Sequence, residues 1–162
     1  MATLMRNLIG SQPLLKNNFI VTFLNPGLDI PSWLVQETTM PKFKQNEIEV
    51  AYFNTSQWMA GRYLWDQIEL SFISPIGPSS VQKLVEFLRT QTESLTGRVG
   101  YLQSYKTSVR LEVTDPLGVP IQAWIAYNCQ IVSLDHDPMS YDDDKYVKLK
   151  LVLRPDYCEN LY

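Results

Sequence analysis

Hydrophobic residues recur at every second position through most of this chain. Val109, Leu111 and Val113 alternate with Arg110 and Glu112, Ile68, Leu70 and Phe72 with Glu69 and Ser71, and Ile48, Val50 and Tyr52 with Glu47, Glu49 and Ala51. Successive side chains leave a strand on opposite faces, so this period predicts β-strands with one apolar side. Asn18–Leu24 is a dense β-forming run stopped by Asn25, Pro26 and Gly27, and Trp33–Thr39 lies between Pro31 and Pro41; both read as strands. Ile121, Ala123 and Ile125 begin another that can run on to Val132, and Tyr146–Leu153 closes the series. One segment changes period: Val81, Leu84, Val85 and Leu88 fall at i, i+3, i+4 and i+7 behind Ser79, with Gln82 three residues on. That predicts an N-capped helix whose stripe lies on the sheet.

Breaks in the pattern set the organisation. Asp115-Pro-Leu-Gly118 is a turn sequence, because proline presets φ and glycine accepts positive φ, so a hairpin is expected there. Asn54–Arg62 is polar and contains a glycine, and reads as a long loop. Residues 93–107 read as a linker. The expected layout is an N-terminal arm over 1–17, a β domain over 18–157 and a C-terminal tail over 158–162. The fold class is mainly β: an antiparallel β-sandwich or half-open barrel of about six or seven strands with one packed α-helix.

Length and charge narrow the function. The chain has 162 residues, enough for one core. Its charged fraction, 19%, is below the roughly 25% usual for globular chains, so part of the surface is expected to face something other than water. A net charge of −3 argues against a protein that grips duplex DNA, since phosphate binding rests on Lys and Arg. No signal-peptide pattern or apolar run of about 18 residues is present, so the chain reads as cytosolic and not membrane-associated. Cys129 and Cys158 lack a CxxC or Cys/His setting and read as reduced structural thiols.

Catalytic chemistry would need His136, the sole histidine, between Asp135 and Asp137. Three adjacent side chains in extended backbone do not converge on one point, and no second histidine completes a site. Asp142, Asp143 and Asp144 with Asp135 and Asp137 lack the EF-hand order, so a solvated acidic loop is the plainer reading. Nucleotide, hydrolase and metalloprotease motifs are missing. No catalytic residue, cofactor or metal is expected. Trp33, Trp58, Trp65 and Trp124 could stack on single-stranded nucleic acid, but no positive groove accompanies them, and core packing or subunit contact explains them better.

Several segments together resemble the tail tube proteins of contractile-tailed, T-even-type phages. They are Glu37-Thr-Thr-Met-Pro41, Gly61-Arg62 leading into Trp65-Asp-Gln-Ile-Glu-Leu70, the Asp115, Gly118, Trp124, Tyr127 and Asn128 hairpin before the acidic loop, and the close Leu151-Val-Leu-Arg-Pro-Asp-Tyr157. The resemblance covers roughly residues 18–158.

It implies a virion structural subunit, not an enzyme. Homohexameric rings would stack into a hollow inner tube, and each copy would lend about four strands to a pore of about two dozen. Implied partners are the tail sheath, a tape-measure protein, and baseplate and tail-terminator proteins, with DNA passing through the lumen unbound. The place is the virion tail, assembled in the host bacterial cytoplasm. Like charge facing phosphate discourages adhesion over about 8 Å in physiological salt. Glu47, Glu49 and Glu69, read as one sign-consistent strand face, are therefore the lumen candidates; facing solvent or the sheath is the alternative. Ring-stacking candidates are the loop residues Asn54, Thr55, Ser56, Gln57, Trp58, Met59 and Arg62, together with the N-terminal arm. Asp135, Asp137, Asp142, Asp143 and Asp144 are candidates for sheath or subunit contact. Alternatives are a baseplate hub or tube initiator, the tube of a related contractile injection system, and, in a different class, a monomeric ligand-binding barrel with Trp124, Phe72 and Tyr127 around its pocket.

Overall fold

A computed structural model describes residues 13–28, 30–77, 80–142 and 144–162. The arm as far as residue 12, the N-cap Ser79 and Asp143 lie outside the described residues. The strands are β1 Phe19–Phe23, β2 Val35–Thr38, β3 Phe43–Tyr52, β4 Thr55–Trp65, β5 Ile68–Ile73, β6 Thr107–Thr114, β7 Pro120–His136, β8 Lys148–Arg154 and β9 Tyr157–Asn160. The helices are α1 Ser80–Gln91 and the single turn α2 Leu102–Tyr105. Seven strands form one antiparallel sheet in the order β1-β6-β7-β8-β5-β2, with β9 also on β7, and β3 pairs only with β4.

The large sheet turns a corner along β7. The first part of β7 pairs with β6, from Pro120 to Cys129, and the last part pairs with β8, from Gln130 to His136. On the other side β8 and β9 behave as one strand: Ile131 opposes Leu153, Gln130 opposes Arg154, and beyond Pro155 the same register resumes with Tyr127 opposite Tyr157. Asn128 stands at the bend with φ 52, a left-handed conformation that asparagine tolerates better than most residues. Such bends let strands pass between two packed sheets. Inside the fold, Val21, Val109 and Leu111 from one wing meet Leu70, Phe72, Leu149 and Leu151 from the other. Helix α1 closes the core with Leu84 and Phe87, and its Gln91 Nε2 donates to the Ile131 carbonyl at 3.3 Å.

Four expectations change. Asn54–Arg62 is no long loop: Phe53 and Asn54 make a two-residue turn, and Thr55–Arg62 runs in β4, with Thr55–Ala60 paired rung by rung with β3. Cross-strand pairing there outweighs the low β-preference of single polar residues. Trp33 belongs to a 3-10 turn, Ser32–Leu34, before β2. Within residues 93–107, Thr92 bridges Val99 and α2 follows. The expected tail from residue 158 begins inside β9, and the Leu161 N–H donates to the Ala123 carbonyl at 2.8 Å. The predicted helix is present, but its most buried stripe uses Phe87 in place of Val85.

Candidate functional site

β2 runs through Thr39–Lys42 into β3, and β4 runs through Asp66 and Gln67 into β5, so Val35–Ile73 is one long hairpin interrupted at its middle. The Thr39 N–H donates to the Glu69 carbonyl at 3.0 Å, and the Asp66 N–H to the Lys42 carbonyl at 2.8 Å. The half nearest β2 and β5 lies over the core. The far half, β3 and β4, does not: every β3 residue is exposed, and in β4 only Gly61 and Trp65 are partly covered. At about 3.4 Å per residue this arm is roughly 35 Å long. Ile48, Val50 and Tyr52 share a face with Met59, which opposes Ile48. Glu47, Glu49 and Ala51 lie on the other face with Ala60, Trp58 and Ser56 opposite them.

The arm is held at its root. Phe43 packs edge-on against Trp65 with centroids 5.9 Å apart, and Trp65 meets Trp124 of β7 at 6.4 Å. Lys44 Nζ lies 3.5 Å from Asp66 Oδ2. Gly61 and Arg62 stand opposite the single residue Asn46, a bulge that twists the arm. A Cβ at Gly61 would come within 2.7 Å of the Asn46 carbonyl oxygen, so only glycine lets the strands approach so closely. Beyond the bulge no described residue covers the apolar face, and Phe53 at the tip is 95% exposed with φ 50. A lone two-stranded hairpin is marginal in water, and a contiguous exposed apolar face marks a contact surface.

A second surface lies on the outer side of the β7-β8-β5-β2 wing. Glu69 Oε2 and Lys150 Nζ are 2.8 Å apart, Lys148 Nζ is 3.9 Å from Glu37 Oε1, and Asp135 stands directly across from Lys150. The bond from Glu69 raises the Lys150 pKa above its ordinary value. Glu69 thus sits among lysines on β5 and does not share a strand face with Glu47 and Glu49, which lie on the arm. The period of two assigns a side within one strand; it does not say that β3 and β5 belong to different sheets. Lys148 and Lys150 stand on this face because they alternate with the buried Leu149 and Leu151. This wing has two edges without a strand partner among the described residues, one along β2 and one along Gln130–His136 beyond the end of β6.

The remaining candidates disperse. Asp135 and His136 end β7, and Asp137 fastens the loop, its carboxylate accepting from the Lys148 N–H at 3.2 Å. Asp142 and Asp144 are exposed. Among the described residues no three His, Cys, Asp or Glu side chains are grouped so as to hold a metal ion. Phe72 is sealed in the core, while Tyr127 stacks on Tyr157 at 4.7 Å and reaches Glu159, so Phe72, Trp124 and Tyr127 do not surround one pocket. Both cysteines are buried free thiols, and burial pushes Cys129 up to about 12 and Cys158 to about 11. Among the described residues no helix is long and apolar enough to cross a membrane.

No protein-family model matches the sequence, and no curated protein matches it. Solved structures do. A chain of the sheath-tube complex of the extracellular contractile injection system PVC, in its extended state, is 15% identical, with 96% of this chain and 95% of that one covered at a TM-score of 0.73. A chain of the anti-feeding prophage baseplate, 6-fold symmetrised, is 14% identical over 93% of this chain and 97% of that one, at 0.74. The SPP1 tail tube is 11% identical over 91% and 78%, at 0.55. These likenesses show a shared fold, that of tail tube proteins.

Proposed function

We propose that this chain is the repeating subunit of the inner tube of a contractile tail or related injection system, a structural role and not an enzymatic one. The observation that carries this reading is the β3–β4 arm, whose apolar face has no cover among the described residues and whose length suits reaching a second copy. Homohexameric rings stack, with the arm tip and Thr55–Met59 and Arg62 meeting the next ring. Ring contacts close by rotation, whereas ring-on-ring contacts do not, so the same subunit propagates a tube.

In this reading the ring closes through the two edges of the β7-β8-β5-β2 wing that lack a strand partner among the described residues. The β2 edge of one copy pairs with the Gln130–His136 edge of the next, and six copies of four strands make about two dozen, a width that leaves an open lumen. Pairing also removes the edges that otherwise invite aggregation. The core and α1 then lie outside, and the charged face with Glu69 looks inward, continued by Glu47 and Glu49 on the arm. The sheath surrounds the tube, with Asp137, Asp142 and Asp144 available to it or to a neighbouring subunit, while Asp135, across from Lys150, looks inward. Tape-measure, baseplate and terminator proteins set its length and ends, DNA passes through it unbound, and its place is the virion tail. A baseplate tube initiator is the second reading, supported by the likeness to the anti-feeding prophage baseplate chain.

The test is a double variant, Gln36→Cys with Val132→Cys, oxidised and run without reductant. Edge pairing predicts a disulfide-linked ladder that ends at the hexamer. Rings without cross-links would refute this edge pairing, and a chain that stays monomeric would refute the tube reading.

A further inference from the structure

We propose that the carboxylates of the inward wing are a mask for its two lysines, Glu69 with Asp135 for Lys150 and Glu37 for Lys148, so that no uncommitted ammonium faces a passing polyanion. The inference rests on the conduit reading above. Around its two lysines this face carries three carboxylates, and Arg154 follows on the same side of β8, so it is not the uniformly acidic wall that Glu47, Glu49 and Glu69 alone would suggest. The positions are ordered: Lys150 has Glu69 at 2.8 Å and Asp135 across from it on β7, while Lys148 has Glu37 at 3.9 Å on β2 and the Tyr146 ring at 5.8 Å.

The lysines need such a mask because of repetition. In a sixfold ring they number twelve, and every stacked ring repeats them along a duplex that carries one negative charge per roughly 1.7 Å. Each lysine free to take a phosphate would release a counterion and add to adhesion. A charge-assisted bond to a carboxylate must first be exchanged for the phosphate. For exposed pairs such as these the exchange is worth only roughly a two- to five-fold weakening per lysine. Compounded around a ring, that factor separates a wall that passes DNA from one that holds it. The lysines in turn knit β8 to β5 and β2, a task that two neutral residues would do less well.

Tubes of the full chain are assembled as wild type, as Glu69→Gln, as Glu69→Gln with Lys150→Gln, and as Glu86→Gln, which makes the same charge change on α1. A short fluorescent duplex DNA is co-sedimented with each from about 50 to about 200 mM salt. Glu69→Gln is expected to retain about ten-fold more DNA at low salt and to lose the gain steeply as salt rises. The double variant returns to the wild-type level, and Glu86→Gln stays there. No gain in Glu69→Gln, or a gain that survives loss of Lys150, overturns the mask. In the unassembled chain, amine labelling followed by mass spectrometry should find Lys150 slower than Lys44, whose side chain is 76% exposed, and several-fold faster once Glu69 is Gln. Failure to form tubes would sink the conduit reading while the labelling still decides the mask, and an unchanged Lys150 rate would sink the mask by itself.

Discussion

Replacing Ile48 and Val50 by threonine separates assembly from folding. Both lie on the apolar face of the arm, 53% and 42% exposed, so about half of each side chain remains to be covered by a second copy. Threonine keeps the branched Cβ that suits a strand, but it exchanges a methyl for a hydroxyl at Val50 and removes a further methylene at Ile48. At about 0.8 kcal/mol per fully buried CH2, with about half of that left for the neighbour, the pair forfeits about 1 kcal/mol of contact. With tenfold per 1.4 kcal/mol, the critical concentration for tube formation should rise about 5-fold. The free subunit should hardly notice, since exposed substitutions usually stay within about 0.5 kcal/mol, or roughly 2 °C of Tm at this length. Pelleting across a concentration series and a thermal melt of the dilute chain measure the two quantities. An unchanged critical concentration would refute the arm as an interface, and a fall in Tm above about 5 °C would show that its face is packed within the subunit.

Other consequences concern the body. Phe72→Ala empties the centre of the core, where the ring is 0% exposed, and should cost about 3–5 kcal/mol in chemical denaturation. Gly118→Ala places a Cβ on a residue with φ 85, so the β6–β7 turn should lose about 1 kcal/mol in the same measurement although nothing crowds the site. The native thiols should resist a disulfide reagent near pH 8 and both react in denaturant. Because folding raises Cys129 from 9.0 to about 12 and Cys158 from 9.0 to about 11, the neutral thiols favour the fold fully below pH 9, and stability should decline as pH rises from 9 through those values.

Period-two alternation made β5, β6, β7 and β8 legible, a dense β-forming run made β1 legible, and the 3.6-residue spacing made α1 legible, because each has one face on the core. The same signal could not tell that Ile48, Val50 and Tyr52 face no core among the described residues: an exposed strand with one apolar side writes the same pattern as one that packs on its own body. β4 was hidden by Gly61, which looks like a terminator and instead permits a bulge against Asn46. β9 was hidden by Pro155, which interrupts β8–β9 without changing its register on β7. The pairs Glu69 with Lys150 and Glu37 with Lys148 depend on strand order, β8-β5-β2, and no local pattern encodes which strands become neighbours.

In the proposed tube, copies of the chain assemble through the exposed arm and the two open edges. Electron microscopy of the purified chain at rising concentration tests it most directly. Sixfold rings that stack into hollow tubes are expected; a compact monomer at every concentration would rule the tube out.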